Sequence, residues 1–381
     1  MDLKDYRKQI DEIDDQLVKL FQQRMEVSEG IAAYKKERGL PILDAGREHE
    51  KINSVCSKVP PHMRNYTSVL YSSIFELSRS HQSQQMAQYS DLSKRITDAI
   101  ENTPKLFPKD VTVGVCGVEG AFAQIAAEKL FKLPFIMYFN NFDGVFSAIE
   151  GGLCQYGIVP IENSTAGSVK KVYDLMIKHN FSIVRSVRLK IDHNLLAKPT
   201  TRLENVREIF SHEQAISQCS QFLKTLGKDV KITAVENTAA AAEMVAKSER
   251  QDVAAICSRN CMELYGLSAL ARSIQDQGNN YTRFICISKN MEIYPGADRT
   301  SIMLATAHKP GALYKVLSRF YSLGINITKL ESRPIPDRDF EFMFYFDLET
   351  SVYSEEFIQI VSELSASTED FTYLGSYSEV V

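Results

Sequence analysis

The chain has 381 residues, 44% of them hydrophobic and 24% charged, with a net charge of −4. That length allows two or three domains with real cores and excludes a disordered chain. The mild acidity, with no basic run or zinc-finger spacing, argues against nucleic acid as a partner, and no apolar run approaches the roughly 20 residues of a membrane span.

The opening "MDLKDYRKQI" is charged and helix-forming and lacks the apolar stretch of a secretory signal. Cys56, Cys116, Cys154, Cys219, Cys257, Cys261 and Cys286 are odd in number and scattered. Both features predict a cytoplasmic protein with reduced thiols. Cys257 and Cys261 can share a helical face, but no third ligand stands nearby. They read as small core residues, and no metal site is expected.

Residues 2–38 carry one helical pattern, ended by Gly39 and Pro41 in "RGLP". Its apolar seam is Leu3, Tyr6, Ile10, Ile13, Leu17, Leu20, Val27, Ile31 and Tyr34, in alternating steps of three and four. Position 24 falls in that seam and holds Arg24. A guanidinium facing a bundle interior is costly unless paired. Lys35 lies on nearly the same face, about 16 Å further along the axis, so both cations can lean on one small anion. Arg7 sits about 25 Å from Arg24 along the rod and cannot touch the same small ligand from the same helix. If both serve one pocket, a second copy of the chain supplies one of them, and a symmetric dimer would also partner the seam.

A second helix is expected from near Asp44 to Ser57, with Asp44, Arg47 and Glu48 in one turn. A third is expected over about 61–86, with Ser78 and Gln82 on one face. Residues 1–90 therefore read as an all-helical domain. The polar stretch 91–110 reads as a linker, either helical or loose.

From 111 the period changes. "VTVGVCG", "YGIVPI", "SIVRSVRL", "KITAV", "VAAIC" and "TRFICIS" are strands alternating with helices, an α/β domain over 111–288. Within it stand "VPIENSTAGSV", with Asn163 and Ser164; "SHEQAISQCSQFL", with His212 and Gln218; and "NNYTRFICI", with Thr282 and Arg283. From 299 to 378 the order is strand, helix, strand, strand, helix, strand, a ferredoxin-like α+β unit. It contains "GALYKVLSRF", with Gly311, Ala312 and Leu313, and "ESRP", which is Glu331, Ser332, Arg333 and Pro334.

The first ninety residues resemble the all-helical class of chorismate mutase, in which an intertwined dimer holds a dicarboxylate among cationic side chains. The matching positions are Arg7 from the partner copy, Arg24, Lys35, Asp44, Arg47, Glu48, Ser78 and Gln82. The resemblance implies that Arg24 and Arg7 take the two carboxylates of chorismate. Lys35 and Gln82 would face its ether oxygen, Glu48 would take the ring hydroxyl, and Arg47 would support the pocket. Asp44 and Ser78 complete it.

Residues 111–288 resemble prephenate dehydratase, two α/β lobes with the site in the cleft between them. The resemblance implies that Thr282 donates to the leaving hydroxyl and that Asn163, Ser164 and Gln218 line the pocket. Arg283 either anchors a carboxylate or braces the lobes. His212 is expected to start a helix. The family's first loop carries a proline and two hydroxyls that "GVEGAFA", Gly117–Ala123, lacks. Its helix-start amides remain as anion donors. The alternative is a mutase whose α/β module is only a scaffold, and arogenate stands beside prephenate as a substrate.

The last region resembles the amino-acid-binding ACT domain, which implies phenylalanine as effector at 311–313 and 331–334. Gly311, without a side chain, lets the ligand's ammonium and carboxylate reach the backbone there. Together the resemblances imply a bifunctional chorismate mutase–prephenate dehydratase of phenylalanine biosynthesis, feedback-controlled, without metal or organic cofactor. It would be a homodimer or larger homo-oligomer.

Overall fold

A computed structural model describes residues 2–86, 91–227, 229–335, 338, 341–368 and 370–381. The chain forms two compact units. One comprises the residues up to Lys94 together with Lys309–Arg319 and Glu355–Ser367. The other comprises Arg95–His308, Phe320–Ser354 and Thr368–Val381.

The chain begins with α1 (Leu3–Arg38), α2 (Ala45–Cys56) and α3 (Arg64–Met86). Asp2 and Asp5 cap the start of α1 reciprocally, and Gly39, at φ +61°, ends it in the left-handed conformation. The face α1 turns to α3 is narrow and small: Ser28 and Ala32 are its buried residues. The apolar seam lies elsewhere. Leu17, Leu20 and Val27 are 56%, 65% and 65% exposed, and the rest of the seam is exposed too. Arg24 sits where the seam meets the α3-facing stripe, half-buried and one turn before Ser28.

The expected linker carries α4 (Asp91–Asn102). Ile96, an apolar residue one turn from Leu92 and Ile100, is fully buried there. Of the two forms left open, the amphipathic helix is the one adopted.

The α/β region runs β1 (Asp110–Cys116), α5 (Phe122–Leu130), β2 (Leu133–Phe139), α6 (Phe142–Glu150), β3 (Tyr156–Asn163), β4 (Gly167–Ser168), α7 (Lys170–Lys178) and β5 (Ser182–Lys190). A second lobe follows with β6 (Asn194–Ala197), β7 (Glu208–Ser211), α8 (Glu213–Gln218), α9 (Ser220–Thr225), β8 (Lys231–Ala234), α10 (Thr238–Lys247), β9 (Val253–Cys257), α11 (Cys261–Tyr265) and β10 (Ser268–Ala271). The chain then returns through β11 (Tyr281–Ser288). The first lobe is a seven-stranded sheet in the order β16-β5-β11-β3-β1-β2, where β16 is the C-terminal Glu379–Val380, with β4 on β3. The second is β10-β6-β9-β7-β8. The chain crosses between lobes twice, at 191–193 and 272–280, which places those residues beside the cleft.

The C-terminal elements are β12 (Arg299–Ala305), α12 (Ala312–Ser322), β13 (Asn326–Pro334), β14 (Phe342–Glu349), α13 (Glu355–Ser367), β15 (Phe371–Tyr377) and β16 (Glu379–Val380). The four-stranded antiparallel sheet β13-β14-β12-β15 has the ferredoxin-like order. One face packs on the first lobe through Met303, Met343, Tyr345 and Leu374. The ring of Tyr345 meets Tyr173 edge-on at 4.8 Å. Gly375, at φ +135°, lets β15 press against the Ile183 carbonyl of β5, where a Cβ would clash. β16 pairs with β5 and locks the C-terminus into the first lobe.

All seven cysteines are free thiols. Among the described residues there is no metal-binding cluster of His, Cys, Asp or Glu, and no helix is long and apolar enough to cross a membrane.

Candidate functional site

Two sites emerge, one in each unit. In the first, α1, α2 and α3 bring Arg24, Glu48, Ser78 and Gln82 together. The Arg24 guanidinium lies over the Phe75 ring, 5.4 Å from its centroid, and its Nη1 is buried without a hydrogen-bond partner. Burial lowers its pKa, while Tyr71 and Glu48 pull the other way. An arginine stays cationic through such a shift. Ser28 and Ser78 share a 2.6 Å hydrogen bond, and Gln82 Nε2 donates to Ser28 Oγ at 2.9 Å. That leaves Gln82 Oε1 buried and unpartnered. The orphaned guanidinium nitrogen is a donor suited to an anion, and the orphaned amide oxygen is an acceptor that calls for a hydroxyl or N–H donor.

The remaining predicted residues are placed less uniformly. Lys35 Nζ donates to the Ile42 carbonyl at 2.5 Å. Asp44 caps α2 by accepting from the Arg47 amide at 3.0 Å. Arg47 is exposed, 3.4 Å from Glu50. Arg7 is exposed on the far part of α1, beyond reach of Arg24 within one chain. Glu48 is bound by Arg79, a residue the sequence reading passed over.

The second site lies where β3 and β11 run side by side, with Asn163 opposite Thr282. Asn163 Nδ2 donates to Asn280 Oδ1 at 2.7 Å and Thr282 Oγ1 at 2.9 Å. Its Oδ1 accepts from the Thr165 hydroxyl at 2.8 Å and from the Ala166 amide at 2.9 Å. Asn163 thus shapes a turn; no helix starts there. Gln218, at the end of α8 in the second lobe, donates to Thr165 Oγ1 at 2.7 Å and accepts from Asn280 Nδ2 at 2.9 Å. Ser164 Oγ donates to the Asn279 carbonyl at 2.7 Å and accepts from the Tyr281 amide at 2.9 Å. In this web Thr282 Oγ1 acts as acceptor, so its own hydroxyl proton is left to donate to a ligand.

Thr165, Asn280 and His193 were not singled out from the sequence. His193, buried at the first crossing, meets Gln218 Oε1 through Nε2 at 3.0 Å, and its Nδ1 has no partner. Burial pulls its pKa down, which Gln218 and Asp192 only partly oppose. The ring is therefore neutral at pH 7, with Nε2 as donor. Phe122, at the head of α5, stands edge-on to it at 6.1 Å. His212 starts α8, its Nδ1 accepting from the Gln214 amide.

Arg283 points away from this web. It is 6% exposed, forms an ion pair with Glu162 at 2.7 Å and binds Asp347 of β14. Burial works against its charge, but Asp347, the tyrosines Tyr377 and Tyr345, and Glu162 outweigh it and raise its pKa. With two carboxylates already on it, the geometry is that of a brace between β11 and the C-terminal sheet.

The loop Gly117–Ala123 docks on the second lobe. Tyr265 donates to the Glu119 carbonyl at 2.8 Å and Ser258 to the Gly120 carbonyl at 3.1 Å. Gly120, at φ +90°, sits so close to Cys261 and Leu264 that a Cβ would crowd both. Its amide donates to Gln124 Oε1 at 2.7 Å, so one amide expected for an anion is already taken.

In the C-terminal region Gly311 turns at φ +80° into α12. On β13, Glu331 accepts from Ser168 Oγ at 2.6 Å, and Arg333 grips Asp174 at 2.9 and 3.0 Å. Ser332 and Pro334 alternate outward and are exposed.

A family model described as Chorismate mutase type II matches residues 6–83, and one described as Prephenate dehydratase matches 113–292. The bifunctional chorismate mutase/prephenate dehydratase of Aquifex aeolicus (strain VF5) is 30% identical over 383 residues, spanning 100% of this chain and 99% of that protein. Arogenate dehydratase/prephenate dehydratase 2, chloroplastic, of Arabidopsis thaliana is 35% identical, spanning 75% of this chain and 76% of its own. The crystal structure of prephenate dehydratase from Arthrobacter aurescens in complex with L-Phe superposes with a TM-score of 0.65 at 26% identity, covering 70% of this chain and 90% of that one. With a full-length relative at this identity and both catalytic modules matched in order, the chain belongs to the bifunctional chorismate mutase/prephenate dehydratase family.

Proposed function

We propose that the helical site rearranges chorismate to prephenate and that the α/β cleft converts prephenate to phenylpyruvate. The observation that carries the first step is the buried, unpartnered Nη1 of Arg24 over Phe75, which fits a substrate carboxylate. The rearrangement is pericyclic and needs no proton transfer. The protein has to hold the substrate compact and stabilise charge growing on the ether oxygen. Lys35 would serve that oxygen, Gln82 would do so with an amide N–H turned from Ser28, and Glu48 would take the ring hydroxyl. The exposed apolar seam of α1, with Arg7 about 25 Å from Arg24, supports a homodimer in which each pocket takes Arg7 from the other copy.

In the second step the C–C bond to the departing carboxylate breaks, its electrons complete the aromatic ring, and the C–O bond breaks as hydroxide leaves. A proton must reach that oxygen to release water. Thr282, fixed by Asn163 and with its own proton uncommitted within the web, would polarise the leaving hydroxyl or relay that proton. Gln218 and Ser164 hold the web in shape; both side chains already have partners within it. The intact web supports a working dehydratase over a scaffold. The neighbourhood of arogenate dehydratases keeps arogenate as the competing substrate.

Phenylalanine is proposed as the effector, bound around the Gly311–Leu313 turn and the Glu331–Pro334 strand of an ACT domain, and favouring a less active state. The domains would run 1–90, 91–110 as connector, 111–288 and 299–378. The test follows chorismate loss and phenylpyruvate formation together, with and without phenylalanine, and repeats the second assay with arogenate. Conversion of chorismate through to phenylpyruvate, slowed by phenylalanine, is expected. Accumulation of prephenate alone would overturn the dehydratase reading.

A further inference from the structure

We propose that Arg79 is a positioning residue for the mutase reaction, fixing Glu48, and that Glu76 fixes Arg79 by anchoring it to α12. The inference deepens the mutase reading and rests on Glu48 belonging to that site. Arg79 lies on α3, one turn before Gln82. Its Nη1 binds Glu48 Oε1 across from α2, and its Nη2 binds Glu76 Oε1 at 2.5 Å on its own helix. The Arg79, Glu48 and Glu76 side chains are only 16%, 26% and 13% exposed, so solvent screens these pairs weakly. Glu76 in turn receives two cations from α12: Lys315 Nζ at 3.5 Å and Arg319 Nη2 at 3.6 Å. The charges therefore alternate from the pocket carboxylate to the helix that opens beside Gly311.

The planar guanidinium explains the arrangement. Its fork holds two carboxylates in fixed directions, which a lysine point charge cannot do. The bond to Glu48 uses Oε1 and leaves Oε2 as an acceptor for a substrate hydroxyl. Unheld, a glutamate has several rotamers, and each wrong one moves the acceptor away from the ring hydroxyl. Burial disfavours the Arg79 charge, but hydrogen bonds to Glu48 and Glu76 more than offset it and raise its pKa. The cation is thus held across the whole working range of pH.

The test is a double-mutant cycle on the full chain with Glu48→Ala, Arg79→Ala and the pair, reading mutase kcat and KM beside dehydratase activity. A positioning role predicts that R79A lowers mutase kcat by about 10²-fold with KM little changed, because a misplaced group fails in the transition state. The pair should be no worse than E48A alone. E76Q should fall between R79A and wild type, and R79K should recover part of the loss. Dehydratase activity in the same preparations reports that the chain has folded. Should R79A lose both activities, the cycle is run with R79K, whose losses must still merge with those of E48A. Additive losses, or a mutase indifferent to R79A while E48A abolishes it, would overturn the proposal and leave the mutase reading standing. A mutase indifferent to E48A but abolished by R24A would remove Glu48 from the site and the proposal with it.

Discussion

The two sites differ in how finished they are within one chain. In the α/β cleft the polar atoms of Asn163, Thr165, Gln218 and Asn280 satisfy one another, and the chain needs nothing further to hold its shape. In the helical unit Arg24 and Gln82 keep orphaned atoms, Arg7 is out of reach, and the apolar seam of α1 is exposed. A self-satisfied web prepares one hydroxyl for chemistry. The unpartnered atoms and the exposed seam are what the proposed homodimer and its substrate would cover.

Charging the seam should separate the two regions most sharply. Leu20→Asp, at a 65% exposed seam position, is expected to bring mutase activity to background and to yield monomers by sedimentation, with dehydratase activity kept. Equal loss of both activities would contradict independent sites. Thr282→Ala reverses the pattern. Losing the donor should lower dehydratase kcat by about 10²–10³-fold, the scale of one preorganised donor, and leave the mutase unchanged.

Asp347→Asn probes the brace. It leaves the Arg283 cation buried with Glu162 alone, and removing one partner of a buried pair costs about 3 kcal/mol. Denaturant unfolding should show that loss in the second unit. The smallest effect is on acid stability. Burial would raise the Glu162 carboxyl, but Arg283 and Lys329 outweigh it and hold it below its ordinary 4.5. A carboxyl whose folded pKa lies below its unfolded one stabilises the fold at neutral pH and loses that contribution as pH falls through the folded value. Circular dichroism should therefore show part of the acid unfolding below pH 4.5, and Glu162→Gln should weaken that dependence.

The long helix, the change of period at 111 and the β-α-β-β-α-β order were legible because each is a repeat in neighbouring residues. The four-residue strands β6, β7 and β10 lack the β-branched run that marked the equally short β8 in "KITAV", and the sequence reading passed over them. Thr165 and Asn280 stand inside stretches that were quoted, next to Ser164 and Tyr281, but their roles depend on pairing between residues more than a hundred positions apart. His193 sits in a three-residue crossing with no pattern around it. Arg79 belongs to no motif in the sequence, and only the approach of α2 shows what it holds. Arg283 was left between anchoring a carboxylate and bracing the two lobes; its partners Glu162 and Asp347 tie β11 to the C-terminal sheet, a contact the sequence reading did not foresee.

The most direct test mixes Arg7→Ala protein with Arg24→Ala protein under conditions of verified subunit exchange. Each variant alone should be inactive as a mutase. In random mixing half the dimers are hybrids, and each hybrid has one intact pocket of two, so roughly a quarter of wild-type activity should return. No recovery after exchange would contradict pockets built from two chains.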